Sequence, residues 1–104
     1  MAWYAVCRRS DIPLGRGWPV RVHGHPIAVF AEGDHLYALD NACRHNGAPL
    51  DDGFIEDACV VCPWHGWTYE LATGRQRTLF GSRPALRTYS VRLDGDEVSV
   101  LFDD

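Results

Sequence analysis

Cys43-Arg44-His45-Asn46-Gly47-Ala48-Pro49-Leu50 and Cys62-Pro63-Trp64-His65-Gly66-Trp67 are the two stretches on which the reading of this chain turns. Sixteen residues separate His45 from Cys62. Each stretch supplies one thiol and one imidazole. Each also carries a proline and a glycine, the residues that most strongly punctuate regular structure. Both therefore read as loops, and both loops carry side chains that bind metals.

The flanking sequence reads as short strands. On the N-terminal side, Trp3 to Cys7 forms a first strand, and Ser10 to Gly15 is a loop broken by Pro13. Trp18 to His23 alternates in the half-buried manner of a strand, with a two-residue turn expected at Gly24-His25. Ile27 to Ala31 and His35 to Leu39 continue a meander of antiparallel strands around Glu32-Gly33-Asp34. From Asp40 to Gly53 the alternation stops. A loop of that length inside a compact domain is usually functional.

Between the two quoted stretches, Phe54-Ile55 and Cys59-Val60-Val61 read as a strand pair turning at Glu56-Asp57. Beyond the second stretch, Thr68 to Leu71 is a strand, Thr73-Gly74 a turn and Gly81 to Pro84 a third loop. The chain closes on a hairpin of Leu86 to Leu93 and Glu97 to Phe102 turning at Asp94-Gly95. No helix, repeat or low-complexity tract interrupts this pattern.

Composition narrows the classes. The 104 residues are enough for one domain. A hydrophobic share of 46% and a charged share of 23% belong to a folded globular chain rather than a disordered one. The net charge of −4, without a basic stripe, argues against nucleic acid as a partner. The longest apolar run, Ile27 to Ala31, falls far short of the roughly 20 residues of a membrane helix, so no membrane span is expected. The N-terminus shows no charged segment followed by an apolar one, as a secretory signal would. A cytoplasmic location follows as the expectation. Cys7, Cys43, Cys59 and Cys62 are then better read as thiols or thiolate ligands than as two disulfides.

Two thiolates and two imidazoles admit two sites. They could hold one zinc ion, or an iron–sulfur cluster with both cysteines on one iron and both histidines on the other. Paired zinc ligands usually stand two to four residues apart, whereas one residue separates Cys43 from His45. A two-iron cluster relaxes that constraint, because each loop can send its cysteine to one iron and its histidine to the other. Spacing favours the cluster without eliminating zinc. Cys7 and Cys59 lie in apolar strand contexts and read as buried thiols, and His23, His25 and His35 as surface residues at hairpin ends.

The motif pair Cys-x-His and Cys-x-x-His, with its wider context from Cys43 to Leu50 and Cys62 to Trp67, resembles the Rieske [2Fe–2S] domain family over nearly the whole chain. The resemblance implies an all-β fold of small antiparallel sheets. A cluster-binding subdomain of approximately 41–70 would be inserted in a β base formed by 1–40 and 71–104, as a single domain 1–104. It implies one [2Fe–2S] cluster held by Cys43, His45, Cys62 and His65, with the cysteines on the buried iron and the histidines on the outer one. It also implies a third loop, Gly81 to Leu86 with Pro84, covering the cluster. Gly47, Trp64, Trp67 and Tyr69 would lie around it. Trp64 and Trp67 read equally as packing residues or as shields against water.

Three departures separate the chain from the high-potential respiratory type of that family. Ala48 and Trp64 stand where that type has a second pair of cysteines, Trp67 stands where it has a serine hydroxyl donor, and no membrane anchor is seen. Tyr69 corresponds to its remaining hydroxyl donor. Hydrogen bonds to the sulfurs stabilise the reduced form, so a lost donor lowers the potential. The lower part of a range of about −150 to +300 mV is expected.

Both irons would be fully ligated, and neither a dinucleotide fingerprint nor room for a catalytic domain is present, so an electron carrier is expected rather than an enzyme. The resemblance points to ferredoxins that take electrons from a flavin-containing reductase and pass them to a terminal oxygenase. A small redox subunit of a larger enzyme such as nitrite reductase is the alternative, and a structural zinc-binding interaction module the second. Asp51, Asp52, Glu56 and Asp57 could steer a basic partner, or form a merely solvated acidic loop.

Overall fold

The computed structural model describes residues 1–43, 47–64, 66–77 and 85–103. Its regular structure there is strands plus two short 3-10 turns, Arg9–Asp11 and Leu50–Asp52. The strands are β1 (Ala2–Arg8), β2 (Gly17–Val22), β3 (His25–Glu32), β4 (His35–Asp40), β5 (Phe54–Glu56) and β6 (Cys59–Val61). They continue with β7 (Thr68–Glu70), β8 (Gln76–Arg77), β9 (Thr88–Tyr89), β10 (Val91–Asp94) and β11 (Glu97–Phe102). Three antiparallel sheets result, in the orders β1-β11-β10, β2-β3-β4-β9 and β5-β6-β7-β8.

The apolar run Ile27 to Ala31 explains how the sheets stack. Successive side chains of a strand point to opposite faces. Ile27, Val29 and Ala31 enter one core, with Val98 and Val100 of β11. Ala28 and Phe30 enter the other, with Val60 and Tyr69 of the third sheet. β3 is thus buried on both faces, which is why its sequence runs apolar instead of alternating. The middle sheet separates a structural core from a second core that contains Cys43, Ala48, Leu50 and Cys62. Both ligand-loop cysteines are therefore built into apolar packing.

Three turns sit one residue further along or back than expected. Val22 pairs with His25, so the first hairpin turns at His23-Gly24, not Gly24-His25. Both residues have positive φ (50° and 78°), as a two-residue hairpin turn of the type I′ form requires. Glu56 pairs with Cys59, so the turn is Asp57-Ala58, with φ of 51° and 60°, rather than Glu56-Asp57. Asp94 pairs with Glu97, which moves the last turn to Gly95-Asp96. There the Asp96 carboxylate accepts from the Ser10 amide at 3.2 Å and the Ser10 hydroxyl at 3.0 Å, tying the turn to the end of β1.

The expected strand Leu86 to Leu93 is two strands. β9 pairs with β4 in the middle sheet, and β10 pairs with β11 in the outer one. Ser90 carries the chain from one sheet to the other, and its carbonyl accepts from the Leu101 amide at 3.0 Å. β8, which sequence alone did not single out, closes the third sheet against β7.

Candidate metal centre

The two quoted stretches close by the same pair of backbone bonds. In the first, the Gly47 amide donates to the Cys43 carbonyl at 2.7 Å, and the Cys43 amide to the Ala48 carbonyl at 2.8 Å. In the second, the Gly66 amide donates to the Cys62 carbonyl at 3.2 Å, and the Cys62 amide to the Trp67 carbonyl at 2.7 Å. Each glycine stands four residues after its cysteine and adopts positive φ, 78° at Gly47 and 72° at Gly66. A side chain there would be strained. The expected role of both glycines is met, and the two loops share the same closing bonds although their sequences space cysteine and histidine differently.

Cys43 and Cys62 are each 2% exposed and form no disulfide. Both belong to the core that contains Tyr69, against which Trp67 packs half-buried. The hydroxyl of the fully buried Tyr69 lies 3.4 Å from Cys43 Sγ. It is therefore a hydrogen-bond donor to that sulfur when the sulfur is an ionised metal ligand. Ala48 is wholly buried. Arg44, His45, Asn46, His65 and 78–84, including Pro84 and most of the third loop, lie outside the described residues.

Nonlocal contacts hold the loops in position. Asn41 Nδ2 donates to Asp51 Oδ1 at 2.7 Å, and the Asp51 amide returns a bond to Asn41 Oδ1 at 2.9 Å. That reciprocal pair pins the two ends of the first loop together. Neither residue stood out in the sequence, since Asn and Asp are ordinary loop residues. Gly53 is needed for close approach instead of for an unusual backbone angle. Its φ of −77° is unexceptional, but a Cβ built there would lie 2.1 Å from the Val61 carbonyl oxygen. The exit of the first loop is thus pressed against the entry of the second.

The two tryptophans separate in role. Trp67 packs against the core, whereas Trp64 is 62% exposed. Cys59 is buried as expected, and burial pushes its thiol up. Cys7 is only half-buried, contrary to expectation. Burial, followed by the charges of Asp11 and Asp96, pushes its thiol up to about 11. Both cysteines are protonated thiols at neutral pH. His25 is more than a surface residue: its Nε2 lies 2.8 Å from Asp40 Oδ1, which also accepts from the Tyr89 hydroxyl. Burial and that bond raise the Tyr89 phenol. The network supports the base of the first loop through Asp40, whose amide donates to the Arg87 carbonyl at 3.0 Å.

Two buried thiols at the roots of matching loops, one beside a hydroxyl donor, fit an iron–sulfur cluster. The loop ends are fixed, no disulfide competes, and the surrounding core excludes water.

A family model described as the Rieske [2Fe-2S] domain matches residues 2–90. The anthranilate 1,2-dioxygenase ferredoxin subunit of Burkholderia cepacia is 40% identical over 81 residues, 77% of this chain and 74% of that one. Among solved structures, a complex of reduced oxygenase and oxidised ferredoxin in carbazole 1,9a-dioxygenase contains a match of TM-score 0.80 and 33% identity, covering 94% of this chain and 91% of that one. A putative nitrite reductase NADPH small subunit matches with a TM-score of 0.86 over 98% of this chain and 100% of its own, at 22% identity, a likeness of fold alone.

Proposed function

This chain belongs to the Rieske [2Fe–2S] domain family, and on that premise we propose that it carries electrons one at a time from a flavin-containing reductase to a terminal oxygenase. It is an electron-transfer component with one [2Fe–2S] cluster, not an enzyme in its own right. The cluster supplies a one-electron couple whose potential the surrounding protein sets. Cys43 and Cys62 hold the inner iron and His45 and His65 the outer one, in a subdomain of approximately 41–70 within a single domain. The observation that carries this reading is the matched closure of two loops around Cys43 and Cys62, both 2% exposed.

The chain's own residues then divide the work. The core around Cys43 and Cys62 excludes water and keeps the thiolates in a medium of low dielectric. The Tyr69 hydroxyl donates to Cys43 Sγ and so favours the more negative, reduced state. Trp67, standing where the respiratory type has a serine, brings no hydroxyl, which supports a low potential. The relatives that carry this likeness are ferredoxin components, and the resemblance to a nitrite reductase subunit is confined to the fold. No helix among the described residues is long and apolar enough to cross a membrane. A cytoplasmic site of action belongs to the same proposal and rests on the likeness to those ferredoxin components.

The test is reconstitution with a flavin reductase, a terminal oxygenase and the purified protein. Product should form only when all three are present, and product formation undiminished without this chain would refute the carrier role. The ligand assignment is tested separately. His45→Ala and His65→Ala should each abolish the rhombic electron spin resonance signal of the reduced protein. A wild-type signal in either variant would remove that histidine from the site.

A further inference from the structure

We propose that the Asp51 carboxylate, held in place by Asn41, is a fixed charge that lowers the potential of the metal centre. The inference rests on the cluster reading given above and adds a residue through which the chain tunes it.

Asp51 closes the neck of the first ligand loop. Its Oδ1 accepts from Asn41 Nδ2 at 2.7 Å, and its amide donates to Asn41 Oδ1 at 2.9 Å. Both residues are half-buried. Asn41 is itself tied to β3, since its amide donates to the Pro26 carbonyl at 3.1 Å. On the other side, β2 passes so close that a Cβ built on Gly17 would lie 3.0 Å from the Asp51 Cα. The neighbouring Leu50 is wholly buried in the core that contains Cys43 and Cys62. The carboxylate is thus held from three sides, and its field acts on the metal centre from one fixed place.

The hydrogen bonds of this clasp do not need the charge. The side-chain oxygen of an asparagine at position 51 would also accept from Asn41 Nδ2, and the second bond uses only the backbone of that position. Nor is the charge cancelled. Arg16 turns to Asp52 at 3.7 Å and Arg77 to Glu70 at 3.8 Å, while Asp40 is shared by His25 and Tyr89. Among the described residues Asp51 forms no ion pair. A half-buried carboxylate is also screened by salt less than an exposed one.

The charge is close enough to matter. Asn41 stands two residues before Cys43, and two residues span at most about 7 Å. The Cys43 amide donates to the carbonyl of Ala48 at 2.8 Å, three residues before Asp51. The carboxylate therefore lies on the order of 10 Å from the Cys43 sulfur. Reduction adds one electron to the cluster, and nearby charge is one of the levers on its potential. At that separation and an effective dielectric near 20, a unit charge shifts a one-electron equilibrium by about tenfold, and by about threefold after screening at physiological salt. Tyr69 and Asp51 then act in opposite directions: the hydroxyl favours the reduced state and the carboxylate disfavours it.

The experiment measures the midpoint potential of cluster-loaded protein by voltammetry for the wild type, Asp51→Asn and the exchanged pair Asn41→Asp with Asp51→Asn. Asp51→Asn keeps both bonds of the clasp and removes the charge. At the wild-type midpoint its ratio of reduced to oxidised protein should rise about threefold or more, a positive shift of about 28 mV at about 59 mV per decade. The exchanged pair restores the carboxylate on the other side of the clasp. Its ratio should return to that of the wild type or fall below it, because the charge then stands on the residue nearer Cys43 in the chain. The shift in Asp51→Asn should shrink as ionic strength is raised. The visible spectrum and rhombic signal should remain those of the wild type in both variants. A ratio in Asp51→Asn within about 1.5-fold of the wild type would overturn the proposal. So would a rise that the exchanged pair fails to reverse, since geometry and not charge would then set the potential. Should Asp51→Asn not retain its cluster, Asp51→Ser keeps an acceptor oxygen without charge and should show the same rise. Loss of the cluster from both would make the carboxylate a structural requirement and refute its role in tuning. A wild type without the rhombic signal would instead refute the cluster reading itself, and the inference with it.

Discussion

Replacing Tyr69 with phenylalanine isolates a single hydrogen bond at the metal centre. The ring of Tyr69 is fully buried beside Val60 and Leu71, and its hydroxyl lies 3.4 Å from Cys43 Sγ. Phenylalanine keeps the ring and the packing, and removes only the donor. A hydrogen bond to a charged acceptor is worth about 1.5–3 kcal/mol in total. Only the part that strengthens on reduction moves the potential. At 3.4 Å the bond is long, so about 1 kcal/mol is a reasonable differential between the two redox states. For a one-electron couple a tenfold change in equilibrium constant, about 1.4 kcal/mol, corresponds to about 59 mV. The midpoint potential of Tyr69→Phe should therefore fall by about 40 mV. Protein-film voltammetry measures this directly, with visible absorption and the resonance signal confirming an intact cluster. A potential within about 10 mV of wild type, or a rise, would refute the assignment of Tyr69 as a donor to the ligand sulfur.

Other perturbations test the frame around the site. Ala58 adopts φ of 60° without the side-chain polarity that eases this conformation, so Ala58→Gly should stabilise the protein by about 0.5–1 kcal/mol, read as a rise in Tm of several degrees. Gly53→Ala places a methyl against the Val61 carbonyl and should destabilise by about 3 kcal/mol with accelerated loss of visible absorbance, because the two ligand loops can no longer meet. Cys7 titrates near 11, above its ordinary value of 9.0, so the folded state holds its proton more tightly than the unfolded chain. That preference is fully present below pH 9 and is lost as pH rises towards 11; Cys7→Ser should flatten the decline in stability over this window in chemical denaturation. Alkylation of Cys7 should likewise climb throughout that range with no plateau near pH 8.

Much of the site was legible because ligation is a matter of local chemistry. Cys43 and His45 have one residue between them, Cys62 and His65 two, and no fold is needed to see that each loop offers a soft thiolate and an imidazole. Gly47 and Gly66 could be marked for the same reason: a loop that closes on itself within five residues needs left-handed backbone, and glycine supplies it. The strands were also visible, since alternation and turn residues are local signals. What escaped was set at a distance. The turns shifted by one residue because His23, Asp57 and Ala58 were pulled into positive φ by pairing between strands, which outweighs their own preferences.

The division of Leu86 to Leu93 at Ser90 had no local signal, because both halves are extended and only their partners differ. The same holds for the double burial of β3 and for the fit of Gly53 against Val61. Trp64 and Trp67 make the distinction most clearly. Side by side with the motif they are chemically alike, yet one packs against the core and the other stands in solvent. Sequence by itself determined which side chains are candidate iron ligands and, to within a residue, where the chain turns, since these follow from residue chemistry and short-range sterics. Tertiary structure alone decided which aromatic faces water, which thiol keeps its proton and which loops meet, because each depends on neighbours brought in from far along the chain.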